Sequence, residues 1–319
     1  MIMRLISQRK WLFLLLLFSV VFWLIFCTYN TKENISWWWF YKQKPIYKRN
    51  SSFTLTPYLK CEGDDHFLVI LVATRPNEIE ARQAIRVTWG QERMWLSKKV
   101  LTLFLIGKDA EHQSHGKQSV EEEFAQYGDI ISQNFIESYN NLTLKTMMAF
   151  QWISEFCPKA EYVMKVDSDV FINVKYLVTY LLKINKNVSS DFFTGYPFIN
   201  TKPHRGFVKK AYISKTDYPF SIYPPYCSGL GYVFSGELGL KIYNMMSHVK
   251  PIRFEDVYVG ICLKILGVNL HIPEEGLFFL KQVKFDKCLF SRLIAVHDVT
   301  PQQLNSYWED LQGLEISTC

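Results

Sequence analysis

Asp167-Ser168-Asp169 places two carboxylates around one residue, straight after a run (residues 162–166) with the pattern of a strand. In extended backbone, residues two apart point to the same side, so both carboxylates can face one site at a strand's carboxyl end. Hard oxygen donors in that number suit Mn2+ or Mg2+ held jointly with a diphosphate. A solvated acidic turn is the bland alternative, since such pairs recur by chance. Glu255-Asp256 opens the apolar stretch 257–263. A carboxylate there steadies a helix N-terminus whether or not it works chemically; its functional reading is a general base that takes a proton from an acceptor hydroxyl. His297 ends the apolar run 293–296 and precedes Asp298. It is either a hydrogen-bonded structural histidine or the residue that completes a metal site begun at Asp169.

Basic residues sit near the same junctions. Arg82 and Arg86, four apart, share one face of a helix expected over residues 78–89, opposite Ala81, Ala84, Ile85 and Trp89. That face is a patch able to meet phosphate oxygens, or a solvated helix surface. Lys145 and Lys165 also lie beside expected strand–helix junctions. In residues 224–232 a rigid Pro-Pro turn is followed by Gly229 and Gly231 before another strand; glycine there lets backbone approach a sugar closely, or merely packs.

The elements that must position these groups alternate from residue 67 onward between short apolar runs and amphipathic stretches, the pattern of βαβ units around a mostly parallel sheet. Strands are expected at 67–72, 100–106, 129–131 and 162–166. Helices are expected at 119–126, 142–156 and 176–184, and a buried one at 257–263. The fold class is α/β. Before this domain, Arg4, Arg9 and Lys10 precede an apolar run over residues 11–27 broken only by Ser19. Its length reaches the short end of a bilayer span, which favours thin early secretory membranes, and it lacks the small residues a signal-peptide cleavage site needs. The expected organisation is a cytosolic tail at 1–10, a transmembrane signal-anchor at 11–27, a luminal stem at 28–66 and a luminal catalytic domain at 67–319. The aromatic run 37–41 makes the stem more than a plain spacer and is expected to pack or to sit at the membrane interface.

Six cysteines (Cys61, Cys157, Cys227, Cys262, Cys288, Cys319) follow the apolar run without C-x-x-C spacing, so up to three structural disulfides are expected in an oxidising lumen. Sequons at Asn34, Asn50, Asn141 and Asn187 agree with that compartment. The chain has 319 residues, 49% hydrophobic and 16% aromatic, with a net charge of +6 spread along its length. A nucleic-acid partner is not expected from so diffuse a charge.

Taken together and in this order, the motifs resemble the β1,3-glycosyltransferases of family 31. They are Ala84-Ile85-Arg86-Val87-Thr88-Trp89-Gly90, Asn141-Leu142-Thr143-Leu144-Lys145-Thr146, Asp167-Ser168-Asp169, the segment 223–231 and Glu255-Asp256-Val257-Tyr258-Val259-Gly260. The resemblance runs from about residue 67 to 308. It implies a GT-A-type nucleotide-sugar transferase fold with a central mixed sheet, and an inverting single displacement. Asp169 and His297 would bind Mn2+ (or Mg2+) with the donor diphosphate, and Asp167 would share the metal site or hold the ribose. Thr74, Arg82, Arg86, Asp129, Lys145, Lys165 and Ser168 would line the donor site, and Asp256 would be the base. Tyr226, Gly229, Gly231 and Glu255 would form the acceptor or sugar pocket. Within the family the likeness extends to variable segments, among them Thr194-Gly195-Tyr196-Pro197 and Val268-Asn269-Leu270-His271. It points to UDP-GalNAc as donor and globotriaosylceramide, a glycosphingolipid, as acceptor at the Golgi membrane. UDP-galactose on a GlcNAc or GalNAc acceptor is the alternative, and a non-catalytic glycan-binding or chaperone protein a further one. Asp298 departs from the pattern, which has a small residue after the histidine.

Overall fold

The structure, a computed structural model, describes residues 11, 15–27, 52–63, 65–109, 119–184, 191–206 and 210–312. The sequons Asn34, Asn50 and Asn187, the aromatic run 37–41 and Cys319 lie outside the described residues.

In chain order, the first half comprises α1 (residues 15–27), β1 (Phe53–Leu55), β2 (Leu68–Ala73), α2 (Ile79–Val87), β3 (Arg93–Trp95), β4 (Lys98–Lys108), α3 (Val120–Tyr127), β5 (Ile130–Ile136), α4 (Leu142–Phe156) and β6 (Tyr162–Asp167). The second half comprises β7 (Phe171–Ile172), α5 (Val174–Ile184), β8 (Phe193–Phe198), β9 (Tyr226–Ser235), α6 (Gly236–Met246), α7 (Glu255–Leu266), β10 (Phe278–Phe279), α8 (Lys287–Phe290), β11 (Ala295–Val296) and α9 (Pro301–Gln312).

Every residue of β2 is apolar and buried, the composition of a strand covered on both faces. Val69 and Leu71 enter one core with the inner faces of α4, α6 and α7. Leu68, Ile70 and Val72 enter a second core with α2, α5 and α9. The period of two thus splits one strand between two helical layers. The sheet order is β1-β5-β4-β2-β6-β9-β8, with β3 on β4. β5, β4, β2 and β6 run parallel, while β9 joins β6 and β8 joins β9 antiparallel. The expected mixed α/β sheet is present.

From β2 the chain moves outward through β4 and β5, then returns to place β6 on the other side of β2. The connections leaving β2 and β6 therefore diverge, opening a crevice at their carboxyl ends, where Ala73 is in register with Asp167. A second small sheet, β10-β11-β7, lies beyond that crevice. There Val296 pairs with Phe171, and Val299 N donates to Asp169 O at 2.9 Å, so His297 is stitched beside the acidic loop. Alternation cannot reveal two-residue strands, and these were not anticipated.

Two sequence expectations need correction. Arg82 is fully buried rather than on a polar helix face, because it packs inward with its charge paired. Gly229 and Gly231 lie within β9, not before it. Within the expected limit of up to three disulfides, Cys61 is bonded to Cys157 and Cys288 is disulfide-bonded, while Cys227 and Cys262, both buried, are in no disulfide. Both sit in the first core as small apolar side chains. At the N-terminus, residues 15–27 are helical with exposed apolar side chains. Among the described residues, no helix is long and apolar enough to cross a membrane.

Candidate active site

Asp167 is the last residue of β6, and Asp169 follows in the loop to β7. Together with His297, which follows β11, they offer ligand atoms that lie within 4.8 Å of one another. His297 Nε2 is 3.4 Å from Asp169 Oδ1, and its Nδ1 faces Leu280 O at 3.1 Å. A second-atom contact of this kind fixes the ring so that Nε2 points at the carboxylates. The hydrogen bond to Asp169, assisted by its charge and opposed by burial, pushes His297 up to about 9. Burial would raise Asp169, yet the bond and charge of His297 hold it below the usual carboxylate range. Asp298 adds a carboxylate 3.5 Å from Nδ1 and adopts φ +62°. A residue without a side chain fits that left-handed backbone best, the physical reason a small residue is expected there.

Beneath the acidic loop, Lys165 is buried on β6 and donates to Asp167 Oδ1 at 3.2 Å, Glu255 Oε1 at 2.8 Å and Gly229 O at 3.3 Å. Burial opposes its charge, but Asp167 and Glu255 outweigh it and raise the ammonium above its ordinary value. Glu255, at the start of α7, also accepts from Thr146 Oγ1 at 2.8 Å and Tyr232 Oη at 3.0 Å. It is buried with both oxygens engaged, so it underpins the site rather than facing a ligand. A Cβ on Gly229 would lie 2.8 Å from Glu255 Oε1, so any larger residue here would displace that carboxylate. Asp256, next on α7, is half-buried, and its Oδ1 accepts from Val257 N at 2.8 Å. Burial and then the Glu255 charge push its carboxyl up to about 7, the range that suits a general base near neutral pH.

The loop after β2 is clamped by two buried cations. Arg82 donates to Pro76 O at 3.0 Å and Thr74 Oγ1 at 3.4 Å, and also bonds Arg75 O. Lys145 bonds Thr74 O and pairs with Glu137 at 2.8 Å; burial lowers its pKa against the pull of Glu137. Arg82 further pairs with Glu123 at 2.6 Å, while Arg86 pairs with Glu123 and Asp129, each at 2.7 Å, and stacks over Tyr127. Arg82, Arg86 and Asp129 are therefore brought together, but as a neutralised brace behind the loop and not as an open phosphate patch. Glu123 and Glu137 carry no local sequence sign of their roles: the one sits in an amphipathic helix and the other in the loop after β5, where a glutamate is ordinarily solvated.

A cavity of about 850 Å³ opens beside Asp169, with Glu78, Ala81, Ser168, Asp298 and Thr300 in its wall. Ser168 Oγ donates to Glu78 Oε2 at 3.0 Å. Tyr226 is buried in the first core with Tyr223 and Cys227, and Gly231 pairs with Val166 inside the sheet. Asn141 precedes α4 without a side-chain capping bond, its amide donating instead to Ile136 O at 2.8 Å.

Over residues 80–274 the chain matches the family model described as Galactosyltransferase. It is 50% identical over 319 residues to the UDP-GalNAc:beta-1,3-N-acetylgalactosaminyltransferase 1 of Rattus norvegicus, covering 98% of this chain and 95% of the relative. With the Beta-1,3-galactosyltransferase 5 of Homo sapiens it shares 42% over 281 residues, 88% of this chain and 89% of the relative. Among solved structures, the WbbM bifunctional glycosyltransferase is a distant likeness. Its TM-score is 0.42 at 10% identity, over 80% of this chain and 51% of that one.

Proposed function

Because this chain belongs to the galactosyltransferase family, we propose that it transfers N-acetylgalactosamine from UDP-GalNAc in β1,3 linkage to the terminal galactose of globotriaosylceramide, forming globoside. The observation that carries the donor choice is the 50% identity over 98% of this chain with an N-acetylgalactosaminyltransferase. The 42% identity with a galactosyltransferase supports a second reading, transfer of galactose from UDP-galactose to GlcNAc or GalNAc. A non-catalytic role is disfavoured by the completeness of the site. The same reading makes the sheet a GT-A fold, residues 11–27 a Golgi signal-anchor and residues 67–319 the luminal domain; protection of the C-terminus from protease in sealed microsomes would test that topology.

Asp167, Asp169 and His297 fit a divalent cation, because two carboxylates and an imidazole offer atoms within 4.8 Å, a hard, mixed O/N donor set suited to Mn2+ or Mg2+. When bound with the donor diphosphate, such an ion supplies neutralising charge for the UDP leaving group. Asp256 takes the proton of the acceptor 3-hydroxyl as that oxygen attacks the anomeric carbon. The oxygen–carbon bond forms as the bond to UDP breaks, and attack in line from the opposite face turns an α-linked donor into a β product. Lys165 holds the Asp167 carboxylate in place, and Arg82 and Lys145 fix the Thr74 loop against which the nucleotide would lie.

The test incubates the full chain with Mn2+ and globotriaosylceramide, offering UDP-GalNAc and UDP-galactose in parallel. Transfer of GalNAc alone supports the proposal. Transfer of galactose alone keeps the family chemistry and overturns the donor, and UDP binding without transfer favours a different acceptor or the non-catalytic role.

A further inference from the structure

We propose that Glu255 is a positioning residue for proton transfer: held by Lys165, Thr146 and Tyr232, it fixes the charge that Asp256 experiences and links that base, through Lys165, to Asp167. The proposal rests on Asp256 being the base. Geometry carries it. Lys165 Nζ lies 3.2 Å from Asp167 Oδ1 and 2.8 Å from Glu255 Oε1, so one ammonium joins the two carboxyl-bearing elements, β6 and α7. Thr146 from α4 and Tyr232 from β9 both donate to the other oxygen of Glu255. With β6, α4 and β9 each supplying a donor to this one carboxylate on α7, its place is defined.

The groups that face Asp256 are Glu255 from its own helix, Lys165 from β6, Tyr226, Cys227 and Tyr232 from β9, and Tyr223 from the preceding loop. Arg253, just before α7, faces Tyr223. Burial pushes the phenols of Tyr223, Tyr226 and Tyr232 and the thiol of Cys227 up, so these groups stay neutral around neutral pH. Glu255 and Lys165 are charged groups acting on Asp256, and they act in opposite senses. Glu255 favours the protonated carboxyl and Lys165 favours the carboxylate.

Substituting either therefore has opposite effects, which a merely structural role would not produce. In Glu255→Gln the acidic limb of the kcat/KM profile moves down by about one pH unit, and in Lys165→Met it moves up by about as much. Tyr232→Phe, which removes one hydroxyl and keeps the ring, gives a smaller upward shift and serves if the harsher variants fail to fold. Should a folded variant turn over too slowly, the infrared carboxyl band that Asp256→Asn abolishes reads the same titration directly. Limbs that stay in place, or that move in the same direction in Glu255→Gln and Lys165→Met, overturn the proposal. If Asp256→Asn itself retains turnover and the acidic limb, the base assignment fails instead, and the two failures are thereby told apart.

Discussion

Two charge clusters at the crevice, one centred on buried Arg82 and Glu123 and the other reaching the surface at Asp169, use the same residue types to opposite ends. Behind the β2 loop, Arg82 and Arg86 meet Glu123 and Asp129, two cations against two anions, and Glu123 is shared by both guanidinium groups. At the ends of β6 and α7, Asp167, Asp169, Glu255 and Asp256 face Lys165 and His297, four carboxylates against two cations. The first cluster is balanced in charge, although Arg86 Nη1 is buried without a hydrogen-bond partner. The second is short of positive charge, and a deficit of that kind next to a cavity is what a metal ion and a polar ligand relieve. The lesson is that an arginine's or aspartate's type says little about its task until its partners are counted.

The largest effect should come from breaking the open cluster. Asp169→Ala is expected to abolish transfer, and Asp256→Asn to lower kcat by about 10²–10⁴. In both variants the melting temperature should stay within a few degrees of wild type; retention of full activity at saturating Mn2+ by Asp169→Ala would refute the metal assignment.

Breaking the balanced cluster should instead cost stability. Glu123→Gln leaves the buried Arg82 guanidinium without its carboxylate and half-buried Arg86 with Asp129 alone, at an expected loss of about 3–5 kcal/mol by denaturant unfolding. The rate per folded molecule should change far less than in Asp169→Ala. A loss of UDP affinity in a fully folded Glu123→Gln would show that the brace belongs to the donor site after all.

A pH profile sharpens the comparison further. Asp256 is raised to about 7 and must be ionised to accept a proton, so kcat/KM should climb with pH through about 7 and level above it. A flat profile between pH 5.5 and 8 would contradict its role.

The smallest effect is expected at the rim. Asp298 holds φ +62°, so Asp298→Gly relieves backbone strain but adds freedom to the unfolded chain. The two offset, and stability should change by less than about 1 kcal/mol by thermal denaturation.

The sequence made most of the scaffold legible wherever periodicity was long. Helix α4 at Leu142–Phe156 coincides with the expected 142–156, and β2, β4 and β6 lie within a few residues of their expected bounds. The acidic loop and His297 were also recognisable, because their chemistry is carried by residue type at a strand end. What pattern alone could not give was partnership across the chain. Arg82 and Glu123 are 41 residues apart, and Thr146 and Glu255 are 109 apart. No local signal states that such residues will meet, so Arg82 resembled a solvent-facing cation and Glu255 a ligand-facing acid. The β10-β11-β7 sheet was hidden for a different reason, since its strands have two residues each and alternation needs about four to register.

The most direct test of the open, cation-requiring site is a calorimetric titration of UDP into the full chain in detergent, once with Mn2+ and once with excess chelator. Binding with Mn2+ is expected to weaken at least about tenfold on chelation, a change of about 1.4 kcal/mol, and to become insensitive to the metal in Asp169→Ala. Equal UDP affinity with and without Mn2+ in the wild-type chain would contradict the metal assignment.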